Sequence, residues 1–251
     1  MYMLHNRCPR LWSVISVYLW TVLLLCSYRT DSMQSYLVKT IAGTGTAGYN
    51  GDNQAATSAQ LYLPYGLCAD TAGNLYIGDQ SNNRIRKINI ASGIITTYAG
   101  SGSPGFGGDG QQATSTSVMF SGPADVWMST MNVLYIADNN NHRIRVVSSN
   151  GIINTFAGNG NSGYLSSDEN KPATSVSLYG PFAVTGDTAG NIYIADSNNN
   201  RIRFITTSGI ITTIAGNGLT TVSDNIAATS SGLYLPASIQ VMTNGDYYTH
   251  L

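Results

Sequence analysis

One sequence unit of about 58 residues recurs along most of the chain and constrains the fold more than any other feature. A Thr-x-Ala-Gly tetrapeptide ends at Gly43, Gly100, Gly158 and Gly216, at spacings of 57, 58 and 58 residues. A second motif, Tyr-Ile-(Gly/Ala)-Asp followed by Arg-Ile-Arg, occurs three times with nearly the same period. Self-similarity at a fixed period of this length is typical of repeat architectures, in which each unit packs against its neighbours.

The unit itself predicts an antiparallel meander. In the first complete unit, four runs of β-forming residues, 66–70, 75–78, 84–90 and 94–99, are separated by turn residues. The last turn contains Asn-Gly in the second unit, which is a strong hairpin signal. Tandem meanders of four strands are the blades of a β-propeller. A solenoid of stacked strands fits less well, because tight hairpins inside each unit imply antiparallel pairing.

The number of units predicts an incomplete ring. Three units contain all four runs, whereas the fourth, residues 236–251, contains only the first two. Residues 36–42 resemble the last strand of a unit without the three strands that should precede it. Small propellers have at least four blades. We therefore expect an all-β propeller of four-stranded antiparallel blades, with three complete units and a partial fourth, that is truncated or incompletely closed.

Residues 1–30 have the pattern of a targeting segment. Arg7 and Arg10 precede an uncharged run of 16 residues, 11–26, and polar residues follow it. The run is short for a membrane span, so a cleaved signal peptide is favoured over an uncleaved signal anchor, with a buried core helix as a third interpretation. A signal peptide or anchor predicts a secreted or membrane-anchored protein whose propeller, residues 31–251, is extracytoplasmic. Membrane contact is expected only through this segment, if it is uncleaved.

The motif Tyr-Ile-Ala-Asp-x-Asn-Asn-Asn-Arg-Ile-Arg, followed by Ser-Gly-Ile-Ile-Thr-Thr-x-Ala-Gly, resembles the repeats of NHL β-propellers, and the resemblance covers residues 36–251. The long segments between units, such as residues 45–64, are similar to those of teneurin-type and bacterial-type NHL repeats. The resemblance implies the propeller fold. It says little about activity, because the family includes adhesion proteins, ubiquitin-ligase platforms, RNA binders and a peptide-processing lyase.

Charge and motif content argue against several function classes. After residue 30 the chain has 9 Lys and Arg against 13 Asp and Glu, so no nucleic-acid partner is expected. Gly-x-Gly-x-x-Gly patterns at residues 43–48, 100–105 and 158–163 recur with the repeat and precede no helix, so they are interpreted as loops. The three His and the single Glu form no cluster with metal-ligand spacing. We therefore predict no cofactor, no metal site and no catalytic residue.

Every complete unit ends its second run with an Asp and begins its third with Arg-Ile-Arg. The functional interpretation is a ring of polar sites on one face of the propeller. The favoured interpretation is structural, with each carboxylate accepting hydrogen bonds from the backbone or an Arg across the turn. The residues concerned are Asp79, Arg84 and Arg86, then Asp138, Arg143 and Arg145, and finally Asp196, Arg201 and Arg203.

Three aromatic residues occupy equivalent positions in the segments between units. Tyr49, Phe106 and Tyr164 each follow a Gly or lie directly after a Gly-containing turn. They are predicted either as loop contacts to a ligand or as packing residues between blades.

The sequence thus predicts a non-catalytic binding or adhesion module that presents propeller loops to a protein or glycan partner. Two alternatives stay open at this point. One is an enzyme with its site at the propeller axis, and the other is a fragment without independent function.

Overall fold

The computed structural model describes residues 2–3, 13–18, 21–30, 33–242 and 246–250, with side chains for residues 39–242 and 246–249. Within these ranges the regular structure consists of β-strands and short 3-10 helices, which confirms the all-β prediction. The strands form antiparallel sheets, which we number one to five along the chain.

Sheets two, three and four each contain one complete meander, whose strands we name inner, second, third and outer in chain order. In sheet two these strands are Pro64–Ala69, Leu75–Asp79, Arg84–Asn89 and Ile94–Ala99. In sheet three they are Pro123–Met128, Leu134–Asp138, Arg143–Val147 and Ile152–Ala157. In sheet four they are Pro181–Gly186, Ile192–Asp196, Arg201–Ile205 and Ile210–Ala215. Short 3-10 helices join the second and third strands at Gln80–Asn82, Asn139–Asn141 and Ser197–Asn199.

A further two-residue strand extends each meander beyond the four strands expected from the sequence. Gln54–Ala55, Gln111–Gln112 and Lys171–Pro172 pair with the outer strands of sheets two, three and four. The 3-10 helix Ala56–Ser58 follows the strand Gln54–Ala55. The strand Lys171–Pro172 lies between two 3-10 helices, Ser166–Asp168 and Ala173–Ser175. The chain between units therefore covers the outer edge of each sheet, which reduces the backbone available for pairing with other molecules.

The hydrophobic core lies between neighbouring sheets. Tyr76 and Ile85 of sheet two share one buried cluster with Val126 and Leu134 of sheet three. A second cluster joins sheets three and four, and a third joins sheets four and five. Because each sheet is covered on both faces, strands such as Ile192–Asp196 are buried along their whole length. This packing accounts for their continuous apolar sequence.

The outer sheets differ from the three complete ones. Sheet one consists of Tyr2–Met3, Ser13–Tyr18, Thr21–Thr30 and Met33–Ala42. The strand expected at residues 36–42 thus belongs to a sheet with three preceding strands, and it pairs with the last of them, contrary to the sequence prediction. The preceding run, residues 11–26, contains five Leu and three Val but only one Ile and one Thr, so neither its composition nor its periodicity identified strands. Positions 1, 4–12 and 19–20 of the predicted targeting segment lie outside the described residues, and its cleavage stays a prediction.

Sheet five pairs Ser238–Val241 with Tyr247–His250. The turn predicted at residues 243–245 lies outside the described residues. Among the strand pairs that the structure describes, none joins sheet five to sheet one, so closure of a ring is not detected. The described part of the chain also contains no helix of the length and apolarity that a membrane crossing requires.

Candidate functional site

A fully buried arginine lies in the third strand of each complete sheet. In sheet two, Arg86 Nη2 donates to the Gly51 carbonyl oxygen at 3.0 Å and to Asp52 Oδ1 at 2.9 Å. Its Nη1 lies 3.5 Å from Asp79 Oδ2, and Asp79 Oδ1 accepts the Tyr62 backbone N–H at 2.7 Å. A buried charge is costly unless it is paired, and the two carboxylates compensate the guanidinium.

The same arrangement recurs in sheet three. Arg145 Nη2 donates to the Gly107 carbonyl oxygen at 3.1 Å and to Asp109 Oδ1 at 2.7 Å, and its Nη1 lies 3.6 Å from Asp138 Oδ2. Sequence reasoning did not identify Asp109 as a partner of the arginine. The available signal was its position four residues before the Ala of the recurring Ala-Thr-Ser, which Asp52 shares.

Burial perturbs the carboxyls that end the second strands. Desolvation raises the pKa of Asp79, and it raises the pKa of both Asp138 and Asp196 to about 6. Hydrogen bonds from neighbouring Asn side chains and backbone N–H groups, together with the buried arginines, oppose this effect. The structure therefore brings each predicted Asp together with the second Arg of its own Arg-Ile-Arg motif.

The first arginine of each motif fastens the segment that follows the outer strand. Arg84 Nη2 donates to the Ser101 carbonyl oxygen at 2.7 Å, and its Nη1 donates to the Asn82 carbonyl oxygen at 3.1 Å. Arg143 and Arg201 make equivalent bonds in sheets three and four. These guanidinium groups are half-buried, and they are engaged with backbone carbonyl oxygens.

The three predicted aromatic contacts pack against these arginines. The Arg84 guanidinium carbon lies 3.9 Å from the centre of the Tyr49 ring, and that of Arg86 lies 4.9 Å from it. Phe106 and Tyr164 are covered in the same way in sheets three and four. Such cation–π contacts contribute roughly 0.5–2 kcal/mol each. Tyr49 and Phe106 keep exposed surface, and contact with a ligand stays a prediction for all three residues.

A turn residue links each complete sheet to the next one. The side chains of Asn83 and Asn200 accept backbone N–H bonds from Gly122 at 3.1 Å and Leu235 at 3.0 Å. His142 occupies the equivalent place in sheet three. Its Nδ1 accepts the Gly180 N–H at 3.2 Å, and its ring packs edge-on against Tyr179, with centroids 5.4 Å apart.

Exposed tyrosines gather at the end of the sheets where the inner strands begin. Tyr62, Tyr179 and Tyr234 each lie two residues before a Pro in equivalent segments, and they are 40%, 41% and 57% exposed. Tyr65, one residue into the inner strand of sheet two, is 38% exposed. We call these four residues the tyrosine face. The adjacent 3-10 turns carry Gln, Ser and Asn, so the surroundings are polar and uncharged.

The inner strands also carry one carboxyl that sequence reasoning missed. Asp125 is the only charged residue among the described inner strands, and Gly66, Ala183 and Ser238 hold the equivalent positions. Its Oδ2 accepts the Val184 backbone N–H of sheet four at 3.0 Å. Desolvation raises the pKa of Asp125 to about 7, against hydrogen bonds from Val184 and Val126 that lower it. Its departure from small or hydroxyl-bearing equivalents was the signal in the sequence.

Comparison with protein families matches residues 120–147 to the NHL repeat. These residues include the second and third strands of sheet three with their Asp and Arg-Ile-Arg motif. The chain belongs to the NHL-repeat family. Human teneurin-4 is 30% identical to it over 226 residues, which cover 79% of this chain and 8% of that protein. The Arabidopsis thaliana chloroplastic protein SUPPRESSOR OF QUENCHING 1 is 30% identical over 224 residues, covering 84% of this chain and 20% of that protein.

Solved structures share the fold of this NHL protein at low sequence identity. A Bacteroides thetaiotaomicron structural genomics protein of unknown function superposes with a TM-score of 0.61 at 17% identity, covering 92% of this chain and 53% of that one. An auxiliary nutrient binding protein from Bacteroides ovatus gives a TM-score of 0.57 at 14% identity, covering 91% and 53%. These similarities support the propeller fold alone.

The NHL repeats contain no group of three or more His, Cys, Asp and Glu side chains suited to a metal ion, within the residues that the structure describes. Cys68 is a free, buried thiol in the inner strand of sheet two. Desolvation by burial, together with the charges of Asp125 and Asp70, raises its pKa well above the ordinary value. The thiolate, which is the reactive form, is therefore disfavoured.

Proposed function

We propose that this NHL propeller is a non-catalytic binding module that presents the tyrosine face to a protein or glycan partner. The observation that carries the proposal is the grouping of exposed tyrosines at one end of rigid, mutually packed sheets. Tyrosine supplies a large contact area with only two side-chain torsions to restrict, so binding through it costs little conformational entropy. The hydroxyl group adds a hydrogen bond at the rim of the contact.

The partner is expected to be uncharged or weakly charged at the contact. The tyrosine face is bordered by amide and hydroxyl side chains, and the nearby arginines are engaged with carboxylates and backbone carbonyls. A strongly acidic ligand such as a nucleic acid would find no free cluster of cations there among the described residues. Tyr49 and Phe106 lie on the exposed side of their arginines and stay secondary candidates for contact.

We also propose that the module acts outside the cytoplasm, either secreted or held by its N-terminal segment. Support comes from the basic and apolar pattern of residues 1–30. The chain spans 8% of the length of human teneurin-4 and 20% of the Arabidopsis relative, so the activities of those whole proteins are not transferred to it.

The test is binding of the purified full chain to glycan arrays and to a panel of extracellular protein domains. Tyr179→Ala and Tyr234→Ala should lower the affinity for any ligand found by about tenfold or more, as expected for aromatic residues at the centre of an interface. Met131→Ala, which removes another exposed apolar side chain from the opposite end of sheet three, is the matched control. Equal affinities for all variants would refute the tyrosine face as the binding surface.

A second candidate function, catalysis near the propeller axis, is favoured by Asp125. A carboxyl with a pKa of about 7 exchanges protons readily near neutral pH, which is the property required of a general acid or base. Incubation with neutral ester and lactone substrates would test this candidate. Turnover that is lost in Asp125→Asn would support it over the binding module.

A further inference from the structure

The loop before sheet four departs from the pattern of the other two complete units. The aromatic residue precedes the network carboxylate by three residues in Tyr49–Asp52 and Phe106–Asp109, but by five residues in Tyr164–Glu169. The extra residues form part of the 3-10 helix Ser166–Asp168. The carboxylate is also longer by one methylene, because Glu replaces Asp.

This insertion leaves the buried arginine of sheet four short of partners. Arg86 and Arg145 each donate to a loop carbonyl oxygen, at 3.0 and 3.1 Å. Arg203 has no equivalent bond, and its Nε, Nη1 and Nη2 are all buried without a hydrogen-bond partner. Its closest carboxylate oxygens lie at 3.5 Å in Glu169 and 3.6 Å in Asp196.

Glu169 is instead directed to the outer strand. Its Oε2 accepts the Thr213 backbone N–H at 2.7 Å, and its Oε1 accepts the Thr213 hydroxyl at 2.6 Å. These bonds, with the charge of Arg203 and a hydrogen bond from Tyr164, outweigh partial burial and lower the pKa of Glu169. Glu169 is therefore ionised at neutral pH.

A cavity of about 390 Å³, shallow and largely open to solvent, lies beside this altered network. It opens between the outer strand of sheet four and the segment that leads to sheet five. Its volume lies in the lower part of the range for small-ligand sites, roughly 300–1,000 Å³. The lining side chains are one aromatic ring, one carboxylate, one guanidinium, one amide and two hydroxyl groups, contributed by Tyr164, Glu169, Arg201, Asn217, Thr213 and Thr229.

The charges of this lining select against charged ligands. A phosphate or sulfate would meet the ionised Glu169, and a cation would meet Arg201. Carboxylate, guanidinium, amide and hydroxyl groups together offer both donors and acceptors, which match the vicinal hydroxyl groups of a sugar ring. The aromatic ring supplies an apolar surface for the C–H face of such a ring.

We propose that this cavity, lined by Tyr164, Glu169, Arg201, Thr213, Asn217 and Thr229, is a binding site for one neutral sugar residue of a glycan. The site is separate from the tyrosine face. The Arg201 and Asn217 side-chain donors already bond backbone carbonyl oxygens, so ligand hydroxyl groups use the Thr229 hydroxyl and the remaining lone pairs of Glu169. The altered loop length is the sequence change that creates the space.

The experiment titrates the full chain with methyl glycosides of glucose, galactose, mannose and N-acetylglucosamine, using calorimetry and backbone amide NMR shifts. A site of this size is expected to bind one of them with a dissociation constant of about 1 mM, near −4 kcal/mol. Amide shifts should concentrate at residues 164–169 and 213–229. The absence of saturable binding by every glycoside would overturn the proposal, as would saturable binding of inorganic phosphate at these residues.

Substitutions locate the binding. Thr229→Val removes an exposed hydroxyl group that lines the cavity. Thr174→Val removes the exposed hydroxyl group at the equivalent position of the segment before sheet four, which does not line the cavity. The first should weaken glycoside binding at least about fivefold, the worth of one hydrogen bond, and the second should leave it unchanged. Glu169→Gln should weaken it further. Equal effects of the two threonine substitutions would refute the assignment.

The glycan array distinguishes the cavity from the tyrosine face. If binding to the array persists in Thr229→Val and is lost in Tyr234→Ala, the array ligand binds the tyrosine face, and the cavity is contradicted as its site.

Discussion

Replacing Asp125 with Asn is expected to stabilise the protein at neutral and alkaline pH. The Asp125 carboxyl accepts the Val184 N–H at 3.0 Å and takes part in none of the ion pairs formed between described residues. The Asn amide oxygen can accept the same hydrogen bond, and it carries no charge to desolvate. The substitution therefore removes the cost of the buried carboxylate while it retains the link between sheets three and four.

The size of the effect follows from the pKa difference between the folded and unfolded chain. The pKa of Asp125 rises from 3.8 to about 7 in the folded protein, so the folded state holds the proton more tightly. Stability from this group is fully present below about pH 4 and is lost as the pH rises towards 7. A difference of about 3 in pKa corresponds to roughly 4 kcal/mol, and partial solvent access of the side chain reduces this to an expected gain of about 1–2 kcal/mol for Asp125→Asn.

Urea unfolding of both proteins between pH 4 and pH 8 provides the measurement. Their stabilities should be nearly equal at pH 4 and should diverge as the pH rises, with the variant more stable at pH 8. Asp187→Asn is a control for which the expected change in stability has the opposite sign. Burial alone would raise the pKa of Asp187, but hydrogen bonds from Asn191, Tyr193 and Ala189 lower it, so that variant should lose stability above about pH 4. A difference for Asp125→Asn that does not change with pH would refute the reasoning.

Three further substitutions test the links between repeats. His142→Asn restores the residue of the other two units. Because desolvation lowers the pKa of His142 in the folded protein, the wild type should lose stability as the pH falls below about 6.5, and the variant should not. Thermal melting between pH 5 and pH 8 measures this difference. Gly158→Ala should cost about 1–3 kcal/mol, since φ is +88° and a Cβ would lie 2.3 Å from the His142 carbonyl oxygen; an unchanged melting temperature would contradict this. Arg145→Met should cost about 3–5 kcal/mol in urea unfolding, because Asp138 and Asp109 lose their cation, and adding Asp138→Asn should recover part of the loss.

The sequence was sufficient to predict the repeated meander because each part of it has a local cause. Hairpin glycines, turn asparagines and β-branched runs specify their structures within a few residues, and the 58-residue period shows that the same solution is used repeatedly. The two-residue outer strands were not predicted, because residues such as Gln54 and Ala55 have little strand preference. They are strands only because the outer strand offers free backbone groups to pair with.

The site was harder to predict because its partners come from different segments of the chain. The five-residue spacing of Asp79 and Arg84 indicated an interaction across the turn, but the guanidinium beside Asp79 is that of Arg86, and Arg84 donates to backbone carbonyl oxygens. The pairing of Arg86 with Asp52 spans 34 residues, and its signal in the sequence is the recurrence of Asp52 and Asp109 at one position of the repeat. The exposed fraction of a tyrosine side chain was equally hard to predict, because it also depends on distant segments of the chain. Tyr49 stacks on two guanidinium groups and is 37% exposed, whereas Tyr234 is 57% exposed, and the sequence does not distinguish the two environments.

In a repeat protein, the positions where one unit departs from the others carry the most information about function. A residue that recurs in every unit, such as the buried arginine, is explained by the fold that all units share. Asp125 and Glu169 are not explained in this way. The first places a carboxyl without an ion-pair partner at a position held by Gly, Ala or Ser in the other inner strands, and the second weakens an ion pair that is closer in the other sheets. Desolvation of the Asp125 carboxyl and the longer distance between Arg203 and Glu169 are each expected to reduce the stability of the folded state. Destabilising departures of this kind are expected where function requires them, so Asp125 and Glu169 should be the first residues substituted in any binding or activity screen.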